Sequence, residues 1–455
     1  MRVALGLDIG TTSLCCIAVD IENGEILKSD TVPNDSFIKS EKSFEKIQNP
    51  EIIIEKILGL LEKYTFDFDD IASIGITGQM HGILYLDSNG KSVSPLYTWQ
   101  DGRGDLVADN STYAELFSKI TESNSATGYG LVTHFYNLKN SLVPKNAVKL
   151  STIHDYVAMR LCSLKKPITH ISDAASLGAF DINENKFKTD MLKNAGIDEA
   201  FLPDVTADMV IVGDFQGIPV SVAIGDNQAS FLGSVSSDDM LLINVGTGSQ
   251  VSVITDTDNI DGDCEIRPLY SKKRISVGAC LCGGRAYNIL HSFFEMVGKQ
   301  LFNAENNSLY DAMDTLVSEE NFITVDTRFS GTRKNPEIRG SINNIGVDNF
   351  TPSAIITGVL SGMVNELENL YNQMESKAVK PCVKIVGSGN GIRLNRPLCR
   401  MIEKSFGMKI MIPKHKEEAA FGAVIFSLVA SGEYENILAA QNKLVKYEVN
   451  TDEDI

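Results

Sequence analysis

Two acids in this sequence sit where an isolated carboxylate is costly. Asp8 lies within the apolar run Leu5-Gly-Leu-Asp-Ile9 and leads into Gly10-Thr11-Thr12-Ser13. Asp226 follows the run Val220 to Ile224 through Gly225 and leads into Asn227-Gln228. A buried carboxylate is expensive unless a cation or a proton offsets it. Beside Asp8, Gly10 permits a tight turn, and the hydroxyls and successive N–H groups of Thr11, Thr12 and Ser13 can hold phosphate oxygens. A hard cation such as Mg²⁺, held through water by Asp8 and bridging those oxygens, would balance the charge. Asp226 stands at the C-terminal edge of a strand, where open α/β sheets bind ligands, and could take a proton from an alcohol. The plainer readings are an ordinary turn with an exposed acid at residue 8 and a simple Gly-Asp turn at 225–226.

The first motif recurs. Leu5 to Asp20 lines up with Leu241 to Asp256, sharing Leu, the Gly-Thr pair, Ser and the closing Asp. Both copies read as apolar strand, tight turn, apolar strand, which is a β-hairpin. Two related halves follow from this, a chance match in a short window being the alternative. The counterpart of Asp8 is the neutral Asn244, as expected if two carboxylates on one phosphate chain would repel it. Gly246-Thr247-Gly248 would hold the other side of that chain. A third turn, Gly387-Ser388-Gly389-Asn390, follows a strand and could pass a nucleotide's ribose or adenine under its backbone. Neither a P-loop nor a strand-linked G-x-G-x-x-G is present.

A second ligand is suggested by Gly78-Gln79-Met80-His81-Gly82 and by Tyr97-Thr-Trp99-Gln-Asp101-Gly-Arg103, which holds the single Trp of the chain. Gln79 and His81 donate and accept hydrogen bonds. A flat ring beside Asp101 and Arg103 suits a polyhydroxylated molecule. The alternatives are a core Trp99, a surface Asp101–Arg103 ion pair and a satisfied buried His81. The remaining histidines show no paired metal-ligand spacing.

These groups need a scaffold. Ile52 to Tyr64 has a helical stripe through Ile53, Ile57, Leu60 and Leu61. Ile71 to Thr77 and Pro381 to Gly387 read as strands, and Glu417 to Ala430 as a buried helix. Strands alternating with helices predict an α/β fold. A chain of 455 residues exceeds one core. The polar stretch Ser234 to Asp239 divides it into domains 1–237 and 238–455. Residues 181 to 214 carry few periodic cues.

The net charge of −18 argues against nucleic acid or an anionic membrane as partner. The longest later apolar run, Ala419 to Ala430, is too short to span a bilayer, so a cytoplasmic location is expected. Eight cysteines without a C-x-x-C pair read as buried thiols.

The motifs around Asp8, Gln79, Trp99, Asp226, Asn244 and Gly387 occur in order across nearly the whole chain. As a set they resemble the FGGY family of carbohydrate kinases. The resemblance implies two actin-like (ribonuclease H-like) ATPase domains around a central cleft, and transfer of phosphate from ATP, with Mg²⁺, to a ketose hydroxyl. Asp226 matches the family's base, and Asp8 the acid that holds the metal through water. Thr11, Thr12, Gly246 and Thr247 match phosphate turns, with Gly10, Ser13 and Gly248 beside them as further candidates. Gly387, Ser388, Gly389 and Asn390 match the adenosine turn, although the family usually has Gly at position 388. Met80, His81 and Gly82 match the sugar motif of the ketose branch, and Trp99, Asp101 and Asn227 fall in the same pocket by that similarity; Gln79 and Arg103 are added to it as candidate sugar contacts by their types. Thr127-Gly-Tyr-Gly-Leu131, Ile153 to Cys162 and His170 to Phe180 echo the branch that phosphorylates sedoheptulose at its 7-position. Xylulose or another ketose or polyol is the alternative acceptor. Implied partners are a small sugar and, as a further expectation, a second copy in a homodimer. An actin- or Hsp70-like nucleotide switch is the non-enzymatic alternative; it would need the hairpins but not His81, Trp99 and Asp226.

Overall fold

Both expected hairpins form in the computed structural model, which describes residues 1–108, 110–260, 262–304, 308–318, 323–332 and 335–448. Val3–Ile9 pairs antiparallel with Ser13–Asp20, and Ile9 opposes Leu14, so residues 10 to 12 make the turn. Met240–Val245 pairs in the same way with Ser249–Thr255, leaving Gly246 to Gly248 as the turn. These strands are buried on both faces and therefore read as continuous apolar runs rather than alternating ones.

Around each hairpin the same order of five strands recurs. A parallel strand borders the first strand of each hairpin, Ile71–Gly78 in one sheet and Lys384–Ser388 in the other. A further parallel strand lies beyond it, Ile218–Ser221 or Ile410–Met411. On the far side an antiparallel strand follows, Ile26–Pro33 or Lys273–Cys280. The shared order accords with the duplication read from the two hairpins.

The first compact unit comprises Met1–Ser236, Arg267–Lys273 and Glu417–Val445; the second comprises Ser237–Ile266, Arg274–Lys416 and Lys446–Ile455. The segment Glu417–Val445 thus packs with the first unit. The reason is the helix Glu418–Ala430, which lies directly on the first sheet. Gly6 and Gly75 make this possible: a Cβ there would fall 2.3 Å from the Ala420 carbonyl oxygen and 2.0 Å from that of Ala423. The same helix meets the helix Asp226–Ser234, where a Cβ on Gly422 would lie 1.8 Å from the Ala229 carbonyl oxygen. The floor beneath Asp226 thus comes from a segment nearly two hundred positions later in the sequence.

The expected helix at 52–64 spans Pro50–Asp67. Asn49 caps it by accepting the Glu51 N–H, and Ile53, Ile57, Leu60, Leu61 and Tyr64 fill the first unit's core. Residues 181 to 214, left unplaced by periodicity, contribute short elements. Asp204–Thr206 pairs with Ile168–His170, and Ile211–Phe215 joins the main sheet. All eight cysteines are free, and five are buried. Among the described residues no helix is long and apolar enough to cross a membrane.

Candidate active site

Thr11 links three separate sequence motifs. Its hydroxyl donates to Gln79 Oε1 at 3.1 Å and accepts from Trp99 Nε1 at 3.0 Å. Gln48 ties the same turn, donating to the Thr11 carbonyl at 2.8 Å and accepting from Gln79 at 2.9 Å. The Gly10 and Thr12 carbonyls accept from the Asn34 side chain and backbone, each at 2.8 Å. The carbonyls of the turn are therefore taken. Among the described residues nothing accepts from the Thr11 or Thr12 N–H, which leaves these donors available to an anion.

Asp8, Thr77 and Ile224 stand in one row across three strands, and Asp226 begins the helix two residues after Ile224. Thr77 Oγ1 donates to the Ile224 carbonyl at 2.6 Å, fixing the approach to Asp226. Asp8 and Asp226 are only partly accessible. Burial, then the negative charges of Asp226 and Glu417, push the Asp8 carboxyl up to about 7, against the opposing pull of His154. Burial also raises Asp226, to about 6, although His154 and Arg267 pull it down. Three acids with so little compensation suit a divalent cation, and an acid with a pKa near 6 suits proton transfer near neutral pH.

The residues expected to meet a sugar divide into two groups. Trp99 is 47% exposed, so the core alternative fails. The Met80 side chain packs over Gly225, immediately before Asp226. His81 has a φ of 72°, its Nδ1 lies 2.7 Å from the Ser176 carbonyl, and its ring stacks on Tyr129 at 4.5 Å. A carbonyl can only accept, so Nδ1 carries a proton. A Cβ on Gly82 would lie 2.7 Å from the Tyr97 carbonyl oxygen, so the two motifs touch there. Asn227 Oδ1 accepts from Arg267 at 2.8 Å, which orients its amide group.

Asp101 and Arg103 are 0% and 1% exposed and pair with each other. Arg103 donates to both Asp101 oxygens at 2.6 and 3.1 Å and to Asn137 at 2.5 Å. The Lys46 N–H takes Asp101 Oδ2 at 3.0 Å. The surface pair is therefore not what forms; this buried pair braces the loop carrying Trp99.

In the second unit, the Gly246 and Thr247 carbonyls accept the first N–H groups of the helix Gly284–Phe302 at 2.9 and 3.0 Å. Asn244 and Ser388 are register partners, and Asn244 Nδ2 donates to the Ser388 hydroxyl at 2.7 Å. Ser388 is buried, and its hydroxyl serves as acceptor for Asn244. Gly389 turns beside it with φ 82°, its Cα so near the Val245 carbonyl that a Cβ would lie 2.5 Å away. The second hairpin and the Gly387–Asn390 turn thus adjoin within one unit.

The model of the FGGY carbohydrate kinase N-terminal domain matches residues 3–233, and that of the C-terminal domain matches residues 241–431. The chain belongs to the FGGY family of carbohydrate kinases. A mouse (Mus musculus) protein named sedoheptulokinase is 25% identical, covering 94% of this chain and 97% of its own. A Staphylococcus xylosus protein named xylulose kinase is also 25% identical, covering 95% and 91%. A ligand-bound xylulose kinase of Lactobacillus acidophilus shares the fold, with a TM-score of 0.83 at 18% identity, covering 98% and 93%.

Within this FGGY kinase several residues at the site carried no role in the sequence reading. Gln48 had no signal. Tyr129 lay in the Thr127–Leu131 echo, and His154, Ser172 and Asp173 in the two later echoes, without an assigned task. Glu417 and Arg267 lie far along the chain from the residues they affect. His154, Asp155 and Asp173 offer ligand atoms within 4.8 Å of one another. His154 Nε2 is already 2.9 Å from Asp173 Oδ1, and the imidazole supplies the positive charge there.

Proposed function

We propose that this carbohydrate kinase transfers the terminal phosphoryl group of ATP to a ketose hydroxyl, with sedoheptulose as the first candidate and the 7-phosphate as product. The observation carrying this reading is the row Asp8–Thr77–Ile224, with Asp226 just beyond it and the Thr11 turn at its end. Asp226 would take the hydroxyl proton as the acceptor oxygen bonds to phosphorus and the bond to the ADP oxygen breaks. The N–H groups of Thr11 and Thr12 would hold phosphate oxygens, with Gly10 and Ser13 shaping the turn. Mg²⁺, held through water at Asp8, would neutralise phosphate charge. Gly246, Thr247, Gly248 and the Gly387–Asn390 backbone are the second unit's candidates for the nucleotide. Gln79, Met80, His81, Gly82, Trp99 and Asn227 are the first unit's candidates for the sugar. The N-terminal half would thus supply the acceptor contacts, the base, the metal acid and one phosphate turn, and the C-terminal half the remaining nucleotide contacts.

Two relatives named sedoheptulokinase, at 25% and 24% identity over 94% of the chain, support the seven-carbon acceptor. The xylulose kinase of S. xylosus, also at 25%, favours a five-carbon ketose as second reading. A coupled assay of ADP release over sedoheptulose, xylulose, ribulose, fructose, ribitol and glycerol tests both. The highest kcat/KM is expected with sedoheptulose. No sugar-dependent ADP release with any of them would overturn the proposal.

A further inference from the structure

A set of buried polar groups beneath the Asp226 turn has no part in the proposed chemistry. The helix Ile153–Leu161 carries His154, and the short helix Ile171–Ser176 carries Ser172 and Asp173. None of the three exposes more than 1% of its surface. The Ser172 hydroxyl accepts the Gly225 N–H at 3.1 Å, and Gly225 is the residue that delivers Asp226. That hydroxyl has one proton to give and two neighbours to receive it, His170 Nδ1 at 2.9 Å and Asp173 Oδ2 at 3.3 Å. Either choice leaves an oxygen lone pair for Gly225. The opposite oxygen of Asp173, Oδ1, lies 2.9 Å from His154 Nε2. A hydroxyl held in this way has little freedom to turn.

We propose that Ser172 is a positioning residue for phosphoryl transfer: it fixes the backbone immediately before Asp226, and the buried His154–Asp173 pair fixes the helix that carries it. The inference rests on Asp226 acting as the base. Three contacts converge on this turn. Thr77 Oγ1 holds the Ile224 carbonyl, Ser172 holds the Gly225 N–H, and Met80 packs against the Gly225 Cα. The first two are directional and together set where the Asp226 side chain begins. Burial pulls the His154 imidazole down, but Asp173, followed by Asp155 and Asp226, pushes it up to about 9, so the imidazole holds its proton at neutral pH. Breaking a buried pair of this kind leaves an uncompensated charge, so its partners hold their positions firmly.

The test compares Ser172→Ala, Ser172→Cys, Ser172→Thr and Asp226→Ala in steady-state sugar phosphorylation, ATP-binding calorimetry and thermal unfolding. Ser172→Ala is expected to lower kcat by about 10- to 100-fold, since small misplacements of a reacting group cost that much. KM for sugar and ATP affinity should stay close to those of the unchanged protein, while Tm falls modestly because the buried Gly225 N–H loses its acceptor. Ser172→Thr keeps the hydroxyl and should restore most of kcat. Should Ser172→Ala fail to fold, Ser172→Cys decides in the same way, because a thiol is a weak acceptor. Undiminished kcat in Ser172→Ala or Ser172→Cys would overturn the inference. So would a loss of kcat that only tracks a falling Tm and is not rescued by Thr. An inactive Asp226→Ala beside a fully active Ser172→Ala defeats this inference alone. An active Asp226→Ala defeats the base assignment and this inference with it.

Discussion

Trp99 donates its indole N–H to the Thr11 hydroxyl at 3.0 Å, across 88 positions of sequence. The bond joins the one Trp of the chain to the turn proposed for phosphate. Both ligands should therefore perturb the same fluorophore. Titration with the acceptor sugar, and separately with MgATP, is expected to shift the intrinsic Trp emission saturably. Emission that stays constant at saturating sugar would remove Trp99 from the acceptor site.

Asp226 is proposed as the base, and general-base removal typically costs about 10²- to 10⁴-fold in rate. Asp226→Ala should lose sugar-dependent ADP release by that factor and still bind ATP in calorimetry. Turnover near that of the unchanged enzyme would take the role away from this residue.

Asp8 carries the case for a cation. Its carboxyl faces the charges of Asp226 and Glu417, and a divalent ion would relieve that repulsion. Asp8→Ala should abolish Mg²⁺-dependent turnover while the fold survives, since losing a crowded acid relieves strain in the apo protein. An unaltered Mg²⁺ dependence of the rate in that variant would count against the assignment.

His154 gives a pH signature. Its pKa rises from 6.5 to about 9 on folding, so between those values the folded state holds more protons than the unfolded chain. Its contribution to stability is complete below pH 6.5 and is lost as pH rises through about 9. Thermal unfolding should show Tm falling over pH 6.5 to 9, and His154→Gln should flatten that slope whatever its absolute stability. Parallel slopes in the two proteins would contradict a charged buried imidazole.

Two glycines should respond to alanine with opposite signs. In Gly422→Ala the new Cβ meets the Ala229 carbonyl oxygen at 1.8 Å, so the helix Glu418–Ala430 must shift from the helix Asp226–Ser234. Overpacking of this kind costs about 1–3 kcal/mol or more, and kcat should fall with it. Gly59 lies within the helix Pro50–Asp67 with nothing within 4 Å of its would-be Cβ. Gly59→Ala should stabilise by about 0.5–1 kcal/mol. Urea unfolding of both variants decides, and equal midpoints would refute the packing described here.

Residues 5–20 and 241–256 determined their hairpins by themselves, because an apolar strand, a Gly-Thr turn and a second apolar strand are short-range features. The helix read over 52–64 was legible for the same reason, through its stripe; its start at Pro50, capped by Asn49, appeared only in the fold. The order of the motifs likewise carried the family. What neighbouring residues cannot encode is the partner that arrives from elsewhere. Asp101 and Arg103 read as ligand groups from their types, and only the fold brought Lys46 and Asn137 to them. Ser388 read as part of a nucleotide turn, and only the fold brought its parallel neighbour Asn244 to the hydroxyl. The buried helix Glu418–Ala430 was visible as a helix, but the sheet it covers was decided by Gly6 and Gly75, more than 340 positions earlier. Periodicity fixes an element and its apolar face; which distant backbone fits against that face is a matter of close packing, and close packing exists only once the chain has folded.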